Sequence, residues 1–142
     1  MSGAGKATEA DIVSTIRGFY PDALAVYLFG SYGTEYERPD SDVDLALLLP
    51  HARGKEAGAL GFSPCARALA ELLDSPVDLV NLREADTVFQ TRVIETGRLL
   101  YGAGGRATAE FEMLTLSFYQ KLNDERAGIL EDIVKTGSVF AR

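Results

Sequence analysis

The chain has 142 residues, and 46% hydrophobic with 25% charged residues describes an ordinary globular domain, neither disordered nor membrane-embedded. Its 14 basic and 21 acidic residues leave a net charge of -7, which argues against a nucleic-acid backbone as partner, because such binding rests on Lys and Arg neutralising phosphates. A lone cysteine, Cys65, and a lone histidine, His51, exclude an intramolecular disulfide and a cysteine-based zinc site, so any catalysis must come from carboxylates, hydroxyls and metals.

Residues 1–7 are small and polar and read as a flexible tail without the apolar segment of a signal peptide. Thr8 is the N-cap of a helix whose apolar residues Ile12, Val13, Ile16 and Phe19 recur at helical spacing until Pro21-Asp22 stops it. Leu24 to Phe29 is a nearly continuous apolar run, the pattern of a buried strand, and Ser31 to Ser41 is polar and reads as loop with a helical turn at most. Val43 to Leu49 is a second buried strand, too short to span a membrane, which together with the tail and the single cysteine predicts a cytoplasmic protein. His51 to Gly61 lacks periodicity and is expected to be a loop with His51 exposed. Ser63-Pro64 then opens a helix that buries Cys65, Leu69, Leu72 and Leu73.

A third strand runs from Val77 to Leu82, and a helix from Glu84 to Thr96 turns Val88, Phe89, Val93 and Ile94 inward before Gly97. Arg98 to Tyr101 is a short fourth strand, Gly102 to Arg106 a hinge, and Ala107 to Val134 a helix broken near Asn123-Asp124. Phe111, Met113, Leu114, Leu116, Phe118, Tyr119 and Leu122 cover so much of that helix that burial on more than one side is expected, within the domain or against a partner. The order α-β-β-α-β-α-β-α predicts an α/β (α+β) fold with a small mixed sheet, the first two strands antiparallel. It divides into the tail, a core over 8–102 and a helical segment over 103–142.

Asp42 and Asp44 stand two apart at the opening of a strand, so both leave one face of the sheet. Paired like charges are unfavourable unless a cation is shared, and Mg2+ is typically held by one or two carboxylates plus substrate phosphates. The plain alternative is a solvated acidic turn. Gly30-Ser31 leaves a buried strand directly, where free N–H groups and a hydroxyl can face a phosphate. Asp78 interrupts the apolar run Val77-Asp-Leu-Val and needs a partner, the plain alternative being an edge-exposed acid or one that caps a neighbour's N–H; if its strand lies beside the second, it meets Asp42 and Asp44 at one edge. Three carboxylates around two cations suit in-line displacement at phosphorus.

Gly30-Ser31, ten further residues and then Asp42-Val43-Asp44 resemble the signature of the polymerase beta-like nucleotidyltransferase superfamily. The stretch Arg38-Pro-Asp-Ser-Asp-Val-Asp-Leu45, with Val77 to Leu82 and Arg92 to Tyr101, is similar to its minimal nucleotidyltransferase (MNT) branch, and the likeness covers about residues 10–102. The resemblance implies a nucleotidyltransferase fold and transfer of a nucleotidyl group from ATP with release of pyrophosphate. It also implies Mg2+ (two ions) at Asp42, Asp44 and Asp78, with Asp78 activating the acceptor hydroxyl and Gly30 and Ser31 holding the β and γ phosphates. Small members are often antitoxins that adenylylate a tyrosine of a HEPN-domain ribonuclease toxin. The chain departs from the branch at Thr34 and Glu35, where many relatives carry arginine and glycine, and Arg38 stands nearby as a compensating cation. Two other readings are a small-molecule nucleotidyltransferase, for which the segment after Gly102 is short, and an antitoxin that masks its toxin by binding alone.

Overall fold

The computed structural model describes residues 8–30, 42–102 and 105–136. Ser31, the departures at Thr34 and Glu35, and Arg38 lie outside the described residues, as does the loop expected around them.

Thr8 caps helix α1 (Glu9–Phe19) reciprocally: its hydroxyl accepts from the Asp11 N–H while its own N–H donates to the Asp11 carboxylate. Strand β1 (Ala25–Phe29) follows, then β2 (Val43–Leu48), helices α2 (His51–Ala57) and α3 (Pro64–Leu73), strand β3 (Val77–Asn81), helix α4 (Thr87–Thr96), strand β4 (Arg98–Tyr101) and helix α5 (Arg106–Thr136). The strands form one mixed sheet in the order β3-β2-β1-β4, with β1 antiparallel to β2 and β4, and β2 parallel to β3.

The two faces of the sheet carry different cores. Val26 and Leu28 of β1, Val43, Leu45 and Leu47 of β2 and Leu79 of β3 pack with Ile12, Ile16, Cys65 and Leu69 from α1 and α3. The alternate residues Ala25, Tyr27, Ala46 and Leu48 face the other way, against Val93 of α4 and Phe111 of α5. This second face is smaller and more polar. There the Tyr27 hydroxyl donates to Glu112 Oε2 at 2.6 Å, and the Thr108 hydroxyl donates to the Leu24 carbonyl.

Several expectations are corrected. Residues 51–57 are helical, not loop: Pro50 offers no side-chain cap, but the Asn81 amide donates to the carbonyls of Gly54 and Gly58 at 2.7 and 2.8 Å and ties the helix to the end of β3. His51 is exposed, as expected. Strand β3 ends at Asn81, and Leu82 is buried in a 3-10 turn over Leu82–Glu84. Leu72 and Val88 are exposed, the latter at 45%, because each lies just off the buried stripe of its helix. Helix α5 runs unbroken through Asn123-Asp124, where the Asp124 carboxylate accepts from the Gln120 amide one turn earlier. Only Thr108, Phe111 and Thr115 of α5 are buried among the described residues; Met113 (69% exposed), Phe118 (59%) and Ile129 (60%) face outward, so one face of the helix packs on the domain. Among the described residues no helix is long and apolar enough to cross a membrane.

Candidate active site

The acids gather at the end of the sheet where β1 finishes and β2 and β3 begin. The Val43 N–H donates to the Pro76 carbonyl at 2.9 Å and sets the parallel register, which pairs Asp44 with Asp78. On the other side Asp44 pairs with Phe29 of β1. Paired residues share a face, so Asp44, Asp78 and Phe29 all lie on the α4–α5 side of the sheet. Asp42 precedes β2 by one residue and is exposed. Asp78 is exposed too, because β3 is an edge strand and its first residues stand at the open end. The interrupted apolar run thus resolves as an acid at a strand opening, beside another acid.

Gly30 closes this end of β1 in the left-handed region, with φ 83°. A Cβ there would land on the Asp44 carboxylate, so the Gly30 backbone lies directly against that side chain. Asp44 is half-buried, and its pKa is raised first by burial and then by the charges of Asp78 and Asp42. The residues fit a hard divalent cation: the donors are carboxylate oxygens, and a cation is what makes ionised Asp44 favourable beside two other acids. Among the described residues, no three His, Cys, Asp or Glu side chains are drawn into a metal-binding cluster as they stand.

No motif in the sequence marks the wall beyond Gly30. There a cavity of about 590 Å3 opens between β1 and α4, lined by Phe29, Gly30, Val88, Phe89, Arg92 and Thr96 among others. Phe29 and Phe89 meet edge to face with ring centres 5.4 Å apart. The helical spacing of 88, 89, 92 and 96 marks them as one face of α4, but no sequence signal says that this face overlooks Gly30. Larger hollows of about 790 Å3 beside α1 and 620 Å3 near Leu24 and Gly102 do not reach Gly30; none of the three cavities is lined by Asp42, Asp44 or Asp78.

An acid pair thus stands across two parallel strands, backed by a glycine that brings the main chain against it. Residues 11–104 match the family model of the polymerase beta nucleotidyltransferases, and the chain belongs to that family. It is 36% identical over 126 residues to the protein adenylyltransferase MntA of Shewanella oneidensis, covering 89% of this chain and 87% of that protein. Its fold is similar to a chain in the crystal structure of a toxin–antitoxin with AMP-PNP, at 34% identity and TM-score 0.68 over 90% of this chain and 99% of that one. It is also similar to a chain in the structure of a tri-AMPylated Shewanella oneidensis HEPN toxin in complex with MNT antitoxin, at 35% identity and TM-score 0.62 over 89% of this chain and 95% of that one.

Proposed function

We propose that this chain is an antitoxin that transfers AMP from ATP to a hydroxyl, that of a tyrosine, on a cognate HEPN-domain ribonuclease toxin in the cytoplasm. The observation that carries the reading is the register pairing of Asp44 with Asp78, with Gly30 packed on Asp44. The similarity to MntA and to MNT antitoxin chains solved with their toxins supports the acceptor and the partner.

Asp42, Asp44 and Asp78 would hold Mg2+, two ions, which when bound offset the charge between carboxylates and triphosphate. The Gly30 backbone, with Ser31, would bind the β and γ phosphates. Asp78, exposed on the edge strand, is reachable by a protein acceptor and would take the proton of its hydroxyl. The acceptor oxygen then bonds to the α-phosphorus as the bond to the β-phosphate oxygen breaks, and pyrophosphate leaves with that electron pair.

The test mixes the protein, MgATP and its cognate HEPN-domain toxin and weighs the latter by mass spectrometry. A mass gain of one or more AMP groups, lost in Asp42→Asn/Asp44→Asn, is the expected result. No gain, or a gain that survives the double substitution, overturns it. Toxin neutralised by the double variant without modification would indicate masking by binding alone.

A further inference from the structure

The order of the strands has a consequence for where the phosphates must go. Of the two edge strands in β3-β2-β1-β4, β3 is the one that carries an acid of the site, the exposed Asp78, and this is the side from which a protein acceptor would reach it. In-line displacement sets the leaving oxygen opposite the attacking one, which directs the pyrophosphate away from β3, across Asp44, toward Gly30. Immediately beyond Gly30 lies the cavity between β1 and α4, and Arg92 is the cation among its described lining residues.

Three features suit that side chain to a phosphate. Arg92 is exposed and, among the described residues, pairs with no carboxylate, whereas Arg98 at the start of β4 is committed to Glu9. The acid on the same cavity, Asp86, is engaged as the N-cap of α4, its Oδ1 accepting from the Phe89 N–H at 2.8 Å. The Phe29–Phe89 pair makes the wall apolar, and charges near an apolar wall interact more strongly than in open water. A guanidinium fork matches two phosphate oxygens at once.

We propose that Arg92 is a catalytic residue of this site that binds the β and γ phosphates of the nucleotide and stabilises the departing pyrophosphate. The assignment rests on the AMP-transfer reading above. It places the acceptor on the β3 side and the leaving group on the α4 side of one row of acids.

Arg92→Gln tests it, with three readouts. AMP transfer falls roughly 10²-fold in kcat/KM, the scale of losing one preorganised charge partner. Inhibition by Mg-pyrophosphate weakens about tenfold or more. Inhibition by AMP, which lacks the departing phosphates, changes less than about twofold at an unchanged melting temperature. Arg92→Lys keeps the charge but not the fork and falls between; it carries the same comparison if the Gln variant does not fold. Equal loss of pyrophosphate and AMP inhibition, or no change in either, overturns the role of Arg92 while leaving AMP transfer standing. A wild-type protein that transfers no AMP overturns both readings.

Discussion

The two faces of the sheet are built from the same strands and do different work. On the α1–α3 face, residues 43, 45 and 47 of β2 are buried among aliphatic side chains and a buried thiol. On the α4–α5 face, residues 44, 46 and 48 run from an acid through a small residue to a leucine, and neighbouring β1 contributes a tyrosine bonded to Glu112. A one-residue alternation thus separates the larger aliphatic core from the face that carries a smaller core and, at its open end, the acids. The closed face supplies burial, which lets the other keep three acids near one another at its open end.

The largest contrast is expected from Asp44→Asn. AMP transfer should drop roughly 10²- to 10³-fold, while the metal-free protein melts no lower than wild type. Burial and two neighbouring acids raise the Asp44 pKa, so its ionised form opposes folding at neutral pH. The difference in melting temperature, measured in chelator, should therefore close as the pH falls below the ordinary carboxylate range. A variant that melts far below wild type would show Asp44 to be a structural residue.

Leu47→Ala probes the other face, where the side chain is fully buried. It should cost about 2–5 kcal/mol in urea unfolding and leave turnover per folded molecule intact. Gly30→Ala joins the two behaviours. Left-handed backbone costs an alanine about 1–2 kcal/mol, but the added methyl falls on the Asp44 carboxylate, so kcat/KM should fall by more than stability does. Equal losses would deny the glycine its place against the acid.

Tyr27→Phe removes the hydroxyl that ties β1 to α5 and should cost about 1–2 kcal/mol without altering nucleotide affinity. The smallest effect is at Cys65, whose thiol burial pushes up to about 11. Native protein should resist iodoacetamide at pH 8. Because the unfolded thiol ionises first, stability should decline as the pH rises from about 9 toward 11 in wild type but not in Cys65→Ala. Rapid alkylation of the native protein would mean that the α1–α3 face opens.

Much of this was readable from the chain because the signals are local. Thr8 followed by Asp11, and Ser63 followed by Pro64, mark helix starts by hydrogen bonds formed within one turn. The runs 25–29 and 43–48 announce buried strands, and Asp42-Val-Asp44 at a strand opening announces a face. Helix α2 was illegible because its stabilisation is distant: the Asn81 amide and the Arg83 side chain, against which Gly54 packs, both come from residues well along the chain. The unbroken α5 has a related explanation. Asn and Asp cost only a fraction of a kcal/mol each in a helix interior, and neither removes a backbone donor as proline would.

By itself, then, the sequence determined the strand-forming runs, the helix caps and the acids with their spacing, since each depends on residues within a turn or two. Only the tertiary structure decided that β3 lies parallel to β2 with Asp78 level with Asp44, and that α4 crosses beside Gly30 with Arg92 over the cavity. Those placements depend on strand register and helix packing, which follow from burying both faces of the sheet at once and leave no mark in any short stretch of chain.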